Sequence, residues 1–403
     1  MKIPTKPLRG DILCLLVLTG VVLWFNYELL GGSQLPFFRD LAPFFYPMRI
    51  SLMQSLRRWE LPLWDRHMAM GFPLLANLQS ETFYLPNLFL VFLPFIPAMQ
   101  AIFVLHYLVA AAGSYKLLRQ WNCLPFLSLI GAALFAFGGV TVSLSNLLNH
   151  FQAAVWLPWL LLWWERWLRQ GSRGSLLATT FLSLTQFLAG SPEVYGMSLG
   201  LLALDGFRLK GGGEAIPYRR LLVRLFATQA LVAGLAAIQI LPTLELFLES
   251  RGRNPVSLGE GLRWSLHPLA LFNLFFPDKE VDLNRIDGLR LVFISEVPLI
   301  VSLYLGAVSL FGICLWLVRA GGRELTVTLA LLALSLICAL GGNTPVYPFL
   351  FGRLPLLALV RFPEKYLFVS YVLLLFMAVR GLSLFFQPGR PLLKSEAFVL
   401  LAI

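Results

Sequence analysis

Charge is what this chain has least of. Of 403 residues, 13% are charged and 58% are apolar. That balance excludes a water-soluble globule, because no single core could hide so much apolar surface. Only four cysteines are present, at positions 14, 123, 314 and 338. Three of them sit inside apolar runs and Cys123 sits in a short loop. None stands at metal-ligand spacing or in a long loop, which argues against a disulfide framework and a zinc site. A glycine-rich, phosphate-cradling loop closed by lysine is missing, so nucleotide hydrolysis is not indicated. No internal repeat or low-complexity segment is evident.

Long apolar runs are what remains, and they recur along the whole chain. Each is roughly 20 residues, the length a helix needs to cross the hydrocarbon core. A spanning chain must satisfy its own backbone, and continuous rather than alternating runs select helices over a barrel. Spans are expected at 11–30, 99–118, 126–144, 151–168, 175–190, 194–208, 221–242, 298–318, 325–340 and 366–385. An eleventh begins at Ser395 and is cut off at Ile403, so the chain reads as C-terminally incomplete. Residues 88–97 carry Pro94 and Pro97 and read as re-entrant or interfacial. The basic, then apolar, N-terminus (Lys2, Lys6, Arg9) reads as a retained first span, since Gly31-Gly32-Ser33 makes a poor cleavage site.

The net charge of +11 would suggest nucleic acid in a soluble protein. Here it sorts by side instead. With the N-terminus inside, 18 of the 32 basic residues fall in inside segments, together with only six of the 21 acidic ones. The expectation is therefore one polytopic domain over 1–403, with the N-terminus cytoplasmic. Three extracytoplasmic loops follow, at 31–98, 243–297 and 341–365, and any chemistry belongs on that face.

The first of these loops is the richest. From Phe44, Phe45, Met48, Leu52, Leu56 and Trp59 fall on one arc of a helix, with Ser51, Gln54, Arg57 and Arg58 elsewhere. That pattern marks an amphipathic helix at the membrane surface or against the spans. Asp40, just ahead of it, has two readings: a general base or metal ligand at the membrane surface, or the N-cap of the helix that follows. Asp65 and His67 have an acid/base or metal reading and a turn reading, the latter with an Asp65–Arg66 or an Asp65–backbone contact. Glu60 and Glu81 read as surface residues.

Asn146, Asn149 and His150 fall between spans three and four, and Glu193 between five and six. Glu245 ends span seven and Glu296 begins span eight. Such residues are either wetted helix ends or the rim of one cavity. Arg361 and Lys365 border the tenth span. They suit a phosphate, or anchoring to lipid headgroups. The aromatic mass, 11 Trp and 33 Phe, reads as lipid-facing surface and interface belts.

Together these tracts resemble a known family. The order is one span, Phe38-Arg39-Asp40, an aromatic amphipathic helix, Leu61-Pro62-Leu63-Trp64-Asp65, then Gly71-Phe72-Pro73-Leu74-Leu75-Ala76-Asn77-Leu78-Gln79. It is similar to the YfhO-type bacterial membrane proteins of the GT-C glycosyltransferase superfamily. Asn149-His150 before Leu157-Pro158-Trp159, Gly190-Ser191-Pro192-Glu193 and Arg361-Phe362-Pro363 extend the likeness along nearly all of the chain. Leu85 and Glu193 depart from it, standing where proline and glutamine are expected, and members of the family are usually longer.

The resemblance implies an all-α, GT-C-like bundle of about ten or eleven transmembrane helices in the bacterial inner membrane, with amphipathic helices in the first outer loop. It implies transfer of a sugar from a polyprenyl-phosphate donor to a cell-envelope glycan or polymer, with Asp40 as base or metal ligand. Asp65, His67, Glu81, His150 and Glu193 become candidate acid/base or acceptor contacts. Arg39, Arg361 and Lys365 become candidate phosphate contacts. No cofactor is required, a divalent metal ion being the one addition the chemistry would admit. The bilayer is the other partner, and no nucleic acid is expected. The alternatives are a transporter or flippase of lipid-linked sugars, or a non-catalytic membrane scaffold.

Overall fold

The computed structural model describes residues 9–68, 70–209, 216–250, 257–276, 298–354 and 361–386. The eleventh apolar run, Lys2, Lys6, Glu296 and most of the charged part of the second outer loop lie outside the described residues. Among those residues the fold is helical, and its single β-bridge joins Asp65 to Phe72. Four helical stretches are long and apolar enough to cross a membrane: Phe95–Gln120, Pro125–Leu144, Gly322–Asn343 and Pro363–Phe385. A fifth is admitted if Tyr218–Leu235 and Ala237–Glu249, bent by 78° at Ala236, count as one span. The chain is thus helical and built for a membrane, as its composition requires.

The helices fall into two compact units. The first comprises residues up to Gln120 together with Leu144–Gly252. It contains the helices Arg9–Phe25, Tyr46–Arg57, Phe95–Gln120, Leu148–Ala154, Leu157–Gln170, Arg173–Leu188 and Pro192–Leu209, and the bent pair. Polar contacts tie one end of this unit together. Asp11 Oδ1 accepts from Tyr115 Oη at 2.7 Å and from Arg119 Nε at 2.6 Å. Gln120 donates to Glu165 at 3.0 Å and accepts from Arg166 at 2.8 Å. The Arg224 guanidinium stacks on Trp167 at 4.6 Å.

The amphipathic helix of the first loop exists, with corrections. A π-turn, Leu41–Phe45, precedes Tyr46–Arg57. Phe45, Met48 and Leu52 are buried against protein, as the spacing predicts. Trp59 does not join that face. The helix ends before it, and Trp59 takes a φ of +57° and stands 89% exposed. The loop then returns into the unit. The Ala237–Glu249 helix pins it, Gln239 donating to Leu75 O and Thr243 to Ala76 O, both at 2.8 Å.

The second unit comprises Trp121–Ser143 and the residues from Arg253 onward. At its centre Ala307–Arg319 lies against Leu367–Phe385 in a contact close enough to need glycine on both sides. A Cβ at Gly381 would sit 1.9 Å from Gly312 O, and one at Gly312 would sit 2.3 Å from Ala378 O. Small residues of this kind let helix backbones touch in lipid.

The eighth expected span, 298–318, is only partly helical. Its helix starts at Ala307, and Tyr304 and Leu305 instead run extended. Other groups take over the backbone bonds a helix would have made. Leu299 N donates to Glu364 Oε2 at 2.9 Å, Ser302 N to Ser143 Oγ at 2.8 Å and Leu305 N to Leu274 O at 2.7 Å, while Tyr304 O accepts from Gly139 N at 2.7 Å.

Candidate functional site

The first unit's polar interior starts from one residue of the amphipathic helix. Arg49 lies four residues after Phe45 and three before Leu52, on the apolar face, and has no exposed surface. A buried guanidinium must be paired. It donates to the carbonyls of Ser80 and Gln79, and its Nη2 lies 2.5 Å from Glu81 Oε1.

The Leu78–Ser80 turn, with Asn77 accepting from Gln79 N at 3.1 Å, delivers that carboxylate. Glu81 follows in a left-handed conformation, φ +53°. Asn87 donates to its carbonyl at 2.8 Å. With its amide nitrogen turned to the carboxylate, Gln152 donates to Oε1 at 2.7 Å and Oε2 at 2.6 Å. Glu81 is therefore a fully buried half of an ion pair rather than a surface residue. Burial pushes its carboxyl up to about 8, against the lowering pull of Arg49. Burial also lowers Arg49, against the pull of Glu81.

Beside this pair runs an aromatic chain. Trp156 Nε1 donates to Tyr84 Oη at 2.7 Å, and Tyr84 Oη lies 2.6 Å from His106 Nε2. His106 Nδ1 lies 2.6 Å from Ile102 O, an acceptor only. Nδ1 therefore carries the proton and Nε2 accepts from Tyr84. Burial raises Tyr84 well above the ordinary phenol range, so it stays a donor.

The stretches around positions 149 and 193 meet the same place. Asn149 and His150 are not in a loop. They lie on the wholly buried helix Leu148–Ala154, because the break that the sequence shows at this point lies N-terminal to them. Asn149 Nδ2 donates to Gly190 O at 2.9 Å, and its Oδ1 lies 2.8 Å from His150 Nδ1. His150 Nε2 lies 2.8 Å from Glu193 Oε2. Gly190, at φ +81°, lies flat against the first loop. A Cβ there would stand 2.9 Å from Leu78 O and 3.1 Å from Glu81 Cγ. Glu193 opens the Pro192–Leu209 helix, whose N-terminal dipole favours a negative charge. Its side chain is 18% exposed and that of His150 8%.

Glu81, His150 and Glu193 are thus the candidates that the fold brings together, and Arg49, Gln152, Tyr84 and His106 join them without having been singled out. Asp40 is exposed and precedes the π-turn; its carbonyl accepts from Phe44 N and Phe45 N, while its side chain makes no capping bond. Arg39 takes a φ of +56° and lies 5.5 Å from the Phe38 ring. Asp65 is buried in a turn. Its Oδ1 accepts from His67 N at 2.8 Å, its backbone pairs with Phe72, and its Oδ2 has no hydrogen-bond partner among the described residues. His67 is exposed.

Arg361 and Lys365 belong to the second unit. Arg361 is exposed, whereas Lys365 is buried with its Nζ 5.1 Å from the Phe362 ring. Glu245 is exposed. Among the described residues no three His, Cys, Asp or Glu side chains are grouped to hold a metal ion, so the donor set does not fit one. Compared with family models, curated proteins and solved structures, the chain matches none.

Proposed function

We propose that the protein is a bacterial inner-membrane glycosyltransferase that moves a sugar from a polyprenyl-phosphate donor to a cell-envelope glycan or polymer on the outer face. The observation that carries this reading is the packing of three separate stretches on one another. The Gly71–Gln79 tract of the first loop, Asn149-His150 and Gly190–Glu193 also carry the resemblance to GT-C enzymes, and in this fold they share hydrogen bonds and van der Waals contact. An inverting transfer needs a carboxylate to take the acceptor's hydroxyl proton while the phosphate leaves. The resemblance assigns that carboxylate to Asp40, which is exposed and so open to a substrate. Arg39, in the same unit as Asp40, is proposed as a phosphate contact on residue type, and Asp65 and His67 as acceptor contacts.

The assay is transfer of labelled sugar from purified polyprenyl-phosphate donors to envelope acceptors by the protein in lipid nanodiscs. A loss of at least 100-fold in Asp40→Asn, the usual worth of a general base, would identify Asp40 as that base. Equal rates would remove Asp40 from the chemistry. A second reading, transport of lipid-linked sugars, is favoured by the 78° break after Leu235 and by the fully buried Arg49–Glu81 pair. Movement of the intact labelled lipid between leaflets, without transfer to any acceptor, would select it.

A further inference from the structure

The hydrogen bonds around His150 fix how many protons they hold. The Asn149 amide is oriented by Gly190, because its nitrogen donates to that carbonyl at 2.9 Å. Its oxygen is therefore the atom that faces His150 Nδ1 at 2.8 Å, and Nδ1 must carry a hydrogen. A neutral imidazole protonated on Nδ1 has a bare Nε2. That atom lies 2.8 Å from Glu193 Oε2, and two bare acceptors do not sit at that distance. A second proton must lie between them. The Pro192–Leu209 helix start favours the form in which that proton sits on the histidine and the negative charge on Glu193. The other charges near this turn, Arg49 and Glu81, are paired with each other. Asp40 has none of this support, since it is exposed and its side chain makes no capping bond. A base is effective when its orientation is fixed before the substrate arrives.

We propose that Glu193 is the carboxylate that takes the acceptor's proton, and that His150 and Asn149 are the positioning residues that hold it ionised and aimed. The proposal rests on the transfer reading and moves the base from Asp40 to Glu193, a carboxylate where the resembled family is expected to carry glutamine, so the assignment is particular to this chain. In the step, the acceptor oxygen bonds to the anomeric carbon as the bond from that carbon to the phosphate oxygen breaks. The electron pair leaves with the phosphate, the acceptor's proton passes to the Glu193 carboxylate, and water later removes it. An amide at position 193 would keep a hydrogen bond to His150 but could not take the proton.

The test uses the nanodisc transfer assay with wild type, Asp40→Asn, Glu193→Gln, Glu193→Asp and His150→Gln, each checked by thermal melting. Glu193→Gln should melt close to wild type and lose at least 100-fold in transfer rate, and Glu193→Asp should recover part of it. His150→Gln should stay active, with the acid limb of its rate–pH profile moved to higher pH, because the carboxylate has lost its cationic neighbour. A merely structural histidine would leave that limb in place. Nitrogen-15 NMR should show His150 protonated on both nitrogens at pH 7 in wild type and on one in Glu193→Gln. Wild-type transfer matched by Glu193→Gln, or a His150 bare at Nε2 in wild type, overturns the assignment while leaving the transfer reading intact. No transfer by wild type from any donor removes the transfer reading, and this proposal with it.

Discussion

Arg49 and Glu81 set the energetics of the first unit at the scale of single residues. Taking one partner from a buried pair strands the other, which typically costs about 3–5 kcal/mol, whereas replacing both by apolar groups costs far less. Arg49→Met and Glu81→Leu should each lower the unfolding midpoint strongly in detergent at pH 9, where both partners are charged. The double variant should be much more stable than the two losses added together, and strict additivity would show that the pair is not coupled. The same carboxylate gives a pH signature. Burial holds its carboxyl at about 8, above the ordinary 4.5, so the folded state binds the extra proton. Its contribution is then fully present below pH 4.5 and is lost as pH rises through 8. Melting temperature followed from pH 5 to pH 9 should fall, and the fall should flatten in Glu81→Gln.

Asp65 makes the opposite case. Asparagine keeps the acceptor for His67 N and removes a charge whose second oxygen is buried without a hydrogen-bond partner among the described residues. Asp65→Asn should therefore match wild type in melting and in transfer, while Asp65→Ala should lose about 1 kcal/mol or more. A transfer loss in Asp65→Asn without a melting change would return Asp65 to the chemistry. Arg49 was not singled out in the sequence, though its place inside an apolar arc, four from Phe45 and three from Leu52, is the signal that marks it. Gln152 and His106 carry no such signal, since a polar residue within an apolar run declares no partner until the helices are packed.

Among the elements, the short helix Leu148–Ala154 and the turn at Gly190 do most to assemble the site. The helix holds Asn149, His150 and Gln152 where the turn and the first loop meet. Hydropathy showed the break before it and suggested a wetted loop, because a short helix buried on every side has no amphipathic pattern to announce it. The extended stretch before Ala307 was hidden for a related reason. A run of apolar residues reads as helix whether its backbone bonds to itself or to Ser143, Leu274 and Glu364. Gly190→Ala puts a Cβ at positive φ and within 2.9 Å of Leu78 O. The strain should cost about 1–3 kcal/mol and separate the loop from Asn149. Limited proteolysis between positions 60 and 85 should then speed up in Gly190→Ala. Unchanged cleavage would mean that the loop is held by the Gln239 and Thr243 bonds alone.

For the molecule as a whole, the polarity of the first unit argues for one orientation in the membrane. At one end stand Asp11 with Arg119, Gln120 with Arg166, and Arg224 over Trp167. These residues lie in the first turn of Arg9–Phe25, at the end of Phe95–Gln120, in the last turns of Leu157–Gln170 and in the first turns of Tyr218–Leu235. Glu193 lies at the start of Pro192–Leu209 and His150 ahead of the start of Leu157–Gln170, so the site belongs to the other end. Basic residues flanking short loops mark the cytoplasmic side. The orientation we propose on that rule turns the site end outward, where a lipid-linked donor and an envelope acceptor would meet. Two exposed positions test this, His67 in the first loop and Arg173 at the basic end. His67→Cys should react with a membrane-impermeant maleimide on intact cells, above the background set by the four native cysteines, and Arg173→Cys should react only after the membrane is opened. The reverse pattern would put the site on the cytoplasmic side, and the proposed outer-face transfer would fall with the orientation.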